Sequence, residues 1–406
     1  MAIMHQPTLL AAVATSCLSL AIPAKAETAA PAPITPYADI RYRLELVDQQ
    51  GLPEQATAST LRIRAGVRTR EWQHLSAVIE GETILAVGAT HYNDTVNGKT
   101  AYPVVADPTD TLLNQAYLRW RPVPAIEVTA GRQAVNIDNQ RWVGSVGWRQ
   151  DDQTLDAVRV AAKPRADLSL DYFHAWRVNR VFGPDSPQGI WRDTAINGAR
   201  AAYTIKGFGT LSGYGYWLVL PTFPAGSSRT LGVRMAGEHL VGKGVLILYA
   251  AEYARQQNLS GNPRVFALDY LLLEPGVKAG PVTVRLGYER LEGDGTVGLQ
   301  TPLATLHAFN GWADKFLTTP ANGLEDLYVD AGYKVGGKVL GGLTLRGMWH
   351  RFRSTRAGLD YGSEWNALVS YPVNRKITVS AKFARYDADA FATDTTKAWF
   401  SVEAKF

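Results

Sequence analysis

Arginine recurs at every second position in three stretches near the start of the chain: Arg41 and Arg43, Arg62 and Arg64, Arg119 and Arg121. Glu80 and Glu82 keep the same spacing between the second and third. A period of two is the strand period, so each pair lies on one face of a β-strand. An arginine offers a planar fork of N–H donors that matches a carboxylate bidentately. Several such forks on the wall of a narrow, low-dielectric passage concentrate anions and draw them in. The same face carries Arg159, Arg200, Arg234, Arg285 and Arg346 further along, with Asp and Glu interspersed. The arginines could equally form ion-pair ladders that brace a wall, because like charges facing each other across strands need neutralising.

Other groups with chemical potential sit between the strand-like segments. Lys99, Arg141 and Arg149 fall in 88–111 and 134–153, where they could narrow a passage. Trp312, Asp314 and Lys315 fall in 303–325, which reads as neither strand nor short turn; a stretch of that length in a β-rich chain is functional or disordered, and its rigid aromatics argue for order. Catalysis is not indicated. No GxSxG, HExxH or P-loop pattern occurs, and His174, His239, His307 and His350 have no recognisable nucleophile beside them. Asp-rich turns lack EF-hand spacing. The one cysteine, Cys17, falls in a segment expected to be removed. The chain is therefore read as no enzyme, with no cofactor and no metal.

Eighteen segments alternate in the strand period, near 37–47, 58–70, 74–87, 112–121, 125–133, 154–162, 167–178, 195–205, 209–219, 229–240, 244–255, 264–273, 281–291, 326–335, 341–352, 362–372, 376–386 and 395–406. Connections after even segments are short and those after odd ones often long (88–111, 134–153, 179–194, 292–325). Short turns at one rim and long loops at the other are the organisation of a bacterial outer-membrane barrel. The expected fold is thus an all-β, transmembrane antiparallel β-barrel of about eighteen strands with short periplasmic turns and long extracellular loops. Residues 1–26 read as a cleaved secretory signal, an apolar run ending at Ala24-Lys25-Ala26. Residues 27–36 read as a Pro/Ala-rich leader and 37–406 as the barrel. No later run is long and apolar enough for a membrane helix. Net charge is only +5 and mixed in sign, and no nucleic-acid partner is expected. Tyr42, Trp120, Tyr172, Trp176, Tyr203, Tyr288, Tyr333 and Tyr371 fall on the outward face, where interfacial girdles want them. The last strand ends on Phe406, which resembles the signal read by the outer-membrane assembly machinery.

Four stretches resemble one family. HAFNGWADKFLTTPANGLEDLY, YRLELVDQQG, YNDTVNGKTAYPVVADPTDTLLNQAYL and GRQAVNIDNQRWVGSVGWRQDDQTLDAV look like segments of the alginate export family of outer-membrane proteins, in the expected order. The resemblance implies a Gram-negative outer-membrane pore, in contact with lipid, that exports an anionic polysaccharide or oligosaccharide along lumenal Arg and acidic residues. Periplasmic export proteins would be further partners. Uptake of small anionic sugars or carboxylates through a similar lumen is the alternative, since a passive pore has no intrinsic direction. An adhesin or structural barrel acting through its long loops is a third reading.

Overall fold

A computed structural model describes residues 33–337 and 339–406. The expected signal peptide, and 27–32 of the leader, lie outside the described residues. The strands are β1 (Ile34–Gln49), β2 (Ala56–Thr69), β3 (Leu75–His91), β4 (Asp110–Val123), β5 (Ile126–Gln133), β6 (Thr154–Arg165), β7 (Leu168–Asn179), β8 (Ile190–Trp191), β9 (Ala195–Ile205), β10 (Gly209–Val219), β11 (Ser228–Val241), β12 (Val245–Asn258), β13 (Ala267–Ala279), β14 (Val282–Leu291), β15 (Leu324–Lys334), β16 (Thr344–Arg353), β17 (Asp360–Pro372), β18 (Ile377–Ala388) and β19 (Thr395–Lys405). β8 is a two-residue ladder against the end of β7. The other eighteen are the staves of an antiparallel barrel, closed by β1 on β19 with Asp39 opposite Lys405. β1 begins at Ile34, three residues inside the stretch expected to be leader.

The alternation of residue types decides the two faces. On β1, Arg41, Arg43 and Glu45 are buried inside while Tyr42 and Leu44 are half-buried and Leu46 exposed outside. On β3, Glu80, Glu82 and Ile84 point in while Ile79 and Leu85 are exposed. Exposed apolar residues continue around the exterior at Leu118, Leu286, Trp365, Val369 and Phe400. Such an apolar band is stable only against lipid. Trp120, Tyr172, Trp176, Tyr203 and Tyr333 are exposed on that outer face, and Tyr42, Tyr288 and Tyr371 half-buried.

A bulge refines the inner face. β4 carries an extra residue opposite the Glu80/Gly81 step of β3. The extra residue, Asn114, is turned inward, and Asn114 and Gln115 both donate to the Glu80 carboxylate (2.8 and 3.1 Å). Re-aiming a side chain in this way is a common use of a bulge. The short rim is made of tight turns. Gly242 and Gly244 adopt φ of 65° and 81° between β11 and β12, a region that favours glycine.

Candidate functional site

The long loops do not all spread outward; two fold into the barrel. Residues 134–153 enter first, and the walls of β1 and β2 hold them. Arg41 donates from Nε to Gln150 Oε1 (3.0 Å), from Nη1 to the Gly147 carbonyl (2.9 Å) and from Nη2 to the Arg149 carbonyl. Arg43 donates to the Trp148 carbonyl and pairs with Asp107 (2.7 Å). Arg64 pairs with Glu82 and Asp152 (2.8 Å to the latter) and donates to the Gln150 carbonyl (3.2 Å). Gln150 is fully buried and also donates to Thr60 Oγ1 (2.9 Å). Arg62 lies lower, paired with Asp39 (2.6 Å) and Glu403 (3.4 Å). Loop carbonyls buried in a barrel must find donors, and here the strand arginines supply them. The N-terminal arginine pairs thus brace the loop.

Residues 292–323 enter beside the first loop and are tied to it. Gly144 N–H donates to the Leu303 carbonyl (2.9 Å), and Thr305 N–H to the Gln140 carbonyl (3.1 Å). At the contact, the Trp148 indole stacks on His307, with centroids 4.4 Å apart and planes at 4°. From the same side of the barrel, two strands from β1, Lys382 of β18 places Nζ 3.7 Å from the Trp148 ring centre and 3.9 Å from that of Trp312. The same ammonium lies 2.7 Å from His307 Nε2. His307 Nδ1 lies 2.7 Å from Asp314, which also meets Arg149 (3.1 Å) and Lys397 (2.8 Å). Burial, reinforced by Lys382, pushes the His307 pKa down to about 3 against the pull of Asp314. A neutral ring with its proton on Nδ1 donates to Asp314 and accepts from Lys382, so one tautomer satisfies both neighbours. Burial alone would raise the Asp314 carboxyl, but His307, Lys397 and Arg149 outweigh it and hold it well below the usual carboxylate range.

The rest of this loop is equally anchored. Asn310 donates to Glu289 (2.6 Å) and Asp326 (3.1 Å), and Arg141 pairs with Glu289 (2.8 Å) under the Phe309 ring. Phe316 packs on Phe352, with centroids 4.5 Å apart. Gly311 has φ of 86°, and a Cβ there would collide with the Glu364 carboxylate. Gly311→Ala is expected to cost about 1–3 kcal/mol and to displace the loop, since it meets an unfavourable φ as well as a clash. Thermal unfolding in detergent and the open-channel conductance would both report it.

The two loops divide the lumen into cavities. The outer one, toward the long-loop rim, is about 400 Å³ and is lined by Arg149, Arg180, Lys315 and Lys397, with Asp314 as the acid and Val104, Phe182 and Leu306 among its apolar walls. The inner one, toward the short turns, is about 340 Å³ and holds Arg234, Arg285 and Arg346 with Glu274, Glu289, Asp326 and Asp330. Arg234 pairs with Glu252 (2.6 Å), and Arg285 (3.5 Å) and Arg346 (2.8 Å) share Asp330. The last two keep more than a third of their side-chain surface exposed. Trp312 and Asp314 belong to the constriction, and Lys315 lines the outer cavity, bonded to Gln49 (3.1 Å). Arg159 pairs with Asp171 and Arg200 with Asp138 of the first loop (Nε to Oδ2, 2.8 Å). Arg119 and Arg121 meet Glu127 (3.5 and 2.6 Å) near the short-turn rim, away from both cavities. Lys99 bonds Thr90 on the opposite rim and takes no part in the constriction. Sequence reasoning missed Asp107, Gln150, Arg180 and Asn310, which lie in loops where no period marks them.

These features define a class: a transmembrane β-barrel of the outer-membrane type, lipid-facing outside, with an occluded charged lumen. No known protein family matches the chain, and no curated protein does. Solved structures do. OccAB4 of Acinetobacter baumannii is 13% identical, with 92% of this chain and 98% of that one covered and a TM-score of 0.72. OccK2 (OpdF) of Pseudomonas aeruginosa in complex with glucuronate is 14% identical, with 91% and 98% covered and a TM-score of 0.69. OpdK of Pseudomonas aeruginosa with vanillate is 14% identical, with 91% and 98% covered and a TM-score of 0.71. At these identities the likeness is one of fold. It overturns the assignment to the alginate export family, and with it the reading as a polysaccharide exporter. The physical reason lies in the stretches that carried the resemblance. His307, Asn310, Trp312, Asp314 and Phe316 are buried and engaged with the barrel wall. Their residue types report how a loop packs inside a barrel.

Proposed function

We propose that the protein is a passive, selective channel for small organic anions, with carboxylates and sugar acids as its substrate class. The observation that carries this reading is the outer cavity, where Arg149, Arg180, Lys315 and Lys397 face the single carboxylate of Asp314, backed across the constriction by an inner cavity of mixed charge; each is a few hundred cubic ångströms in size. Such volumes suit single small molecules. The excess of cations in the outer cavity favours anions at that entrance. Glucuronate and vanillate, found with two of the similar structures, are both carboxylates. An adhesin draws no support from two long loops that are packed inside the barrel. Phe406 is half of the seam, its N–H donating to the Ala38 carbonyl (2.8 Å) with its ring exposed, and we assign it as the mark read by the outer-membrane assembly machinery.

The test is block of single-channel current in planar bilayers by glucuronate and by glucose, which are close in size and differ in charge. The reading predicts that glucuronate blocks at concentrations lower by about tenfold or more, as one charge-assisted contact would give. Equal block by both sugars would leave a non-selective pore.

Lys315 adds a pH signature. Burial, with Lys397 nearby, pulls its pKa down to about 8. Below that pH the outer cavity carries its charge, and above it the charge is lost. Anion-over-cation selectivity, read as reversal potential in a salt gradient, is expected to fall between pH 7 and pH 9. Lys315→Met should abolish the step; a step that survives would remove Lys315 from the path.

A further inference from the structure

The exterior holds a second charged site that the lumen does not explain. Strand pairing sets Arg132 of β5 opposite Asp156 of β6, and Asp156 opposite Arg177 of β7. One residue beyond the Val178–Trp191 pair of β7 and β8, Arg192 falls beside Arg177. The four therefore form a single row across neighbouring strands. The residues next to them, Leu155, Val178 and Trp191, are buried in the barrel core, so alternation points the row outward. A bulge at the Asp156/Ala157 step puts Trp176 and Arg177 on the outer face together, and Trp176 is exposed there. The row thus stands at the long-loop end of the apolar band, at the height of its aromatic girdle, where lipid headgroups lie.

The charges in this row do not balance. Asp156 is engaged by Arg132 through both oxygens (2.7 and 3.1 Å). Arg177 reaches it only at 3.9 Å and otherwise bonds Asn179 Oδ1 (3.0 Å). Arg192 is exposed and has no ion pair among the described residues. Elsewhere on the outward rim Arg255, Arg351 and Arg385 each face a carboxylate of their own, Asp269, Asp360 and Asp387, and Arg229 meets the Gln257 amide oxygen. Three arginines in one row with one acid, beside an exposed indole, make a receptor for a phosphate at the membrane surface. Arginine forks suit phosphate oxygens, and basic residues at this depth bind anionic headgroups.

We propose that Arg132, Arg177 and Arg192 bind the phosphate of a phosphorylated glycolipid of the outer leaflet, with Trp176 against its apolar part. The site fixes the barrel's height and neighbours in the membrane and is independent of what passes through the lumen.

Native mass spectrometry of the full mature protein in mild detergent tests it, with diphosphoryl lipid A, the same lipid stripped of phosphate, and inorganic phosphate as competitor. The phosphorylated lipid should be retained about tenfold better than the stripped one, and Arg177→Gln with Arg192→Gln should erase the difference. Arg385→Gln should leave it intact. Unchanged retention in the double variant, or equal retention of both lipids, overturns the proposal. So does displacement by millimolar inorganic phosphate, which would mean a site for any soluble anion. Heat-modifiable gel mobility reports folding. If the double variant does not fold, Arg192→Gln alone, outside the strands, takes its place with the same expected direction. Glucuronate block should be the same in all variants, which separates this site from the channel.

Discussion

Asp314→Ala should produce the largest change in the channel of any single substitution. Asp314 is the common acceptor of His307, Arg149 and Lys397 at the constriction. Its removal leaves two buried cations without their shared anion. Breaking a buried pair from one side costs about 3–5 kcal/mol, much of it borne here by the loop rather than the barrel. The expected results are a constriction that opens intermittently, seen as added current noise and larger conductance, and a rise in anion selectivity of several-fold. Asp314→Asn keeps the shape and one acceptor, so it should fall between. A variant with unchanged conductance and reversal potential would show that the loops are held by their other anchors alone.

The same site gives a direction for pH. His307 has its pKa lowered in the folded state, to about 3, against about 6.5 when free. Its contribution to the closed loop is therefore complete above about pH 6.5 and is lost progressively as pH falls from there toward 3, because the opened state binds the extra proton. The Asp314 carboxyl is depressed, so its contribution persists until the pH falls below the ordinary carboxylate range. Mild acid should loosen the constriction through His307 before Asp314 protonates.

Arg285→Gln with Arg346→Gln should have the largest effect on selectivity. These two face the inner cavity, share one carboxylate and remain more than a third exposed. They are the arginines best able to turn to a passing anion. Charge-assisted hydrogen bonds contribute about 1.5–3 kcal/mol each. Losing two should weaken glucuronate block by about 100-fold and leave glucose block unchanged. Arg41→Gln makes the contrast: Arg41 is committed to the carbonyls of Gly147 and Arg149, so its loss should loosen the first loop and alter both sugars alike. If the Arg41 and Arg285/Arg346 variants behaved the same way, the division between bracing and path arginines would be wrong.

That division marks the boundary of what the sequence could decide. The eighteen staves, most of their inward and outward faces, and the alternation of short turns with long loops were legible in the sequence, although Asp269, expected in the lumen, faces outward beside Arg255. The strand period is a property of local covalent geometry, and a barrel in lipid must place apolar and polar side chains on opposite faces. Arg41, Arg43, Arg62 and Arg64 fall on the inner face by that period and are buried there, yet their partners were out of reach. Gln150 lies 109 residues from the Arg41 it binds. His307 lies 75 residues from Lys382, and Asp314 lies 83 from Lys397. Nothing periodic links a loop to the wall it folds against. The sequence by itself determined which side chains enter the lumen. Only the tertiary structure decided which of them are consumed by the loops and which remain free to meet an anion, because that depends on contacts between segments far apart in the chain.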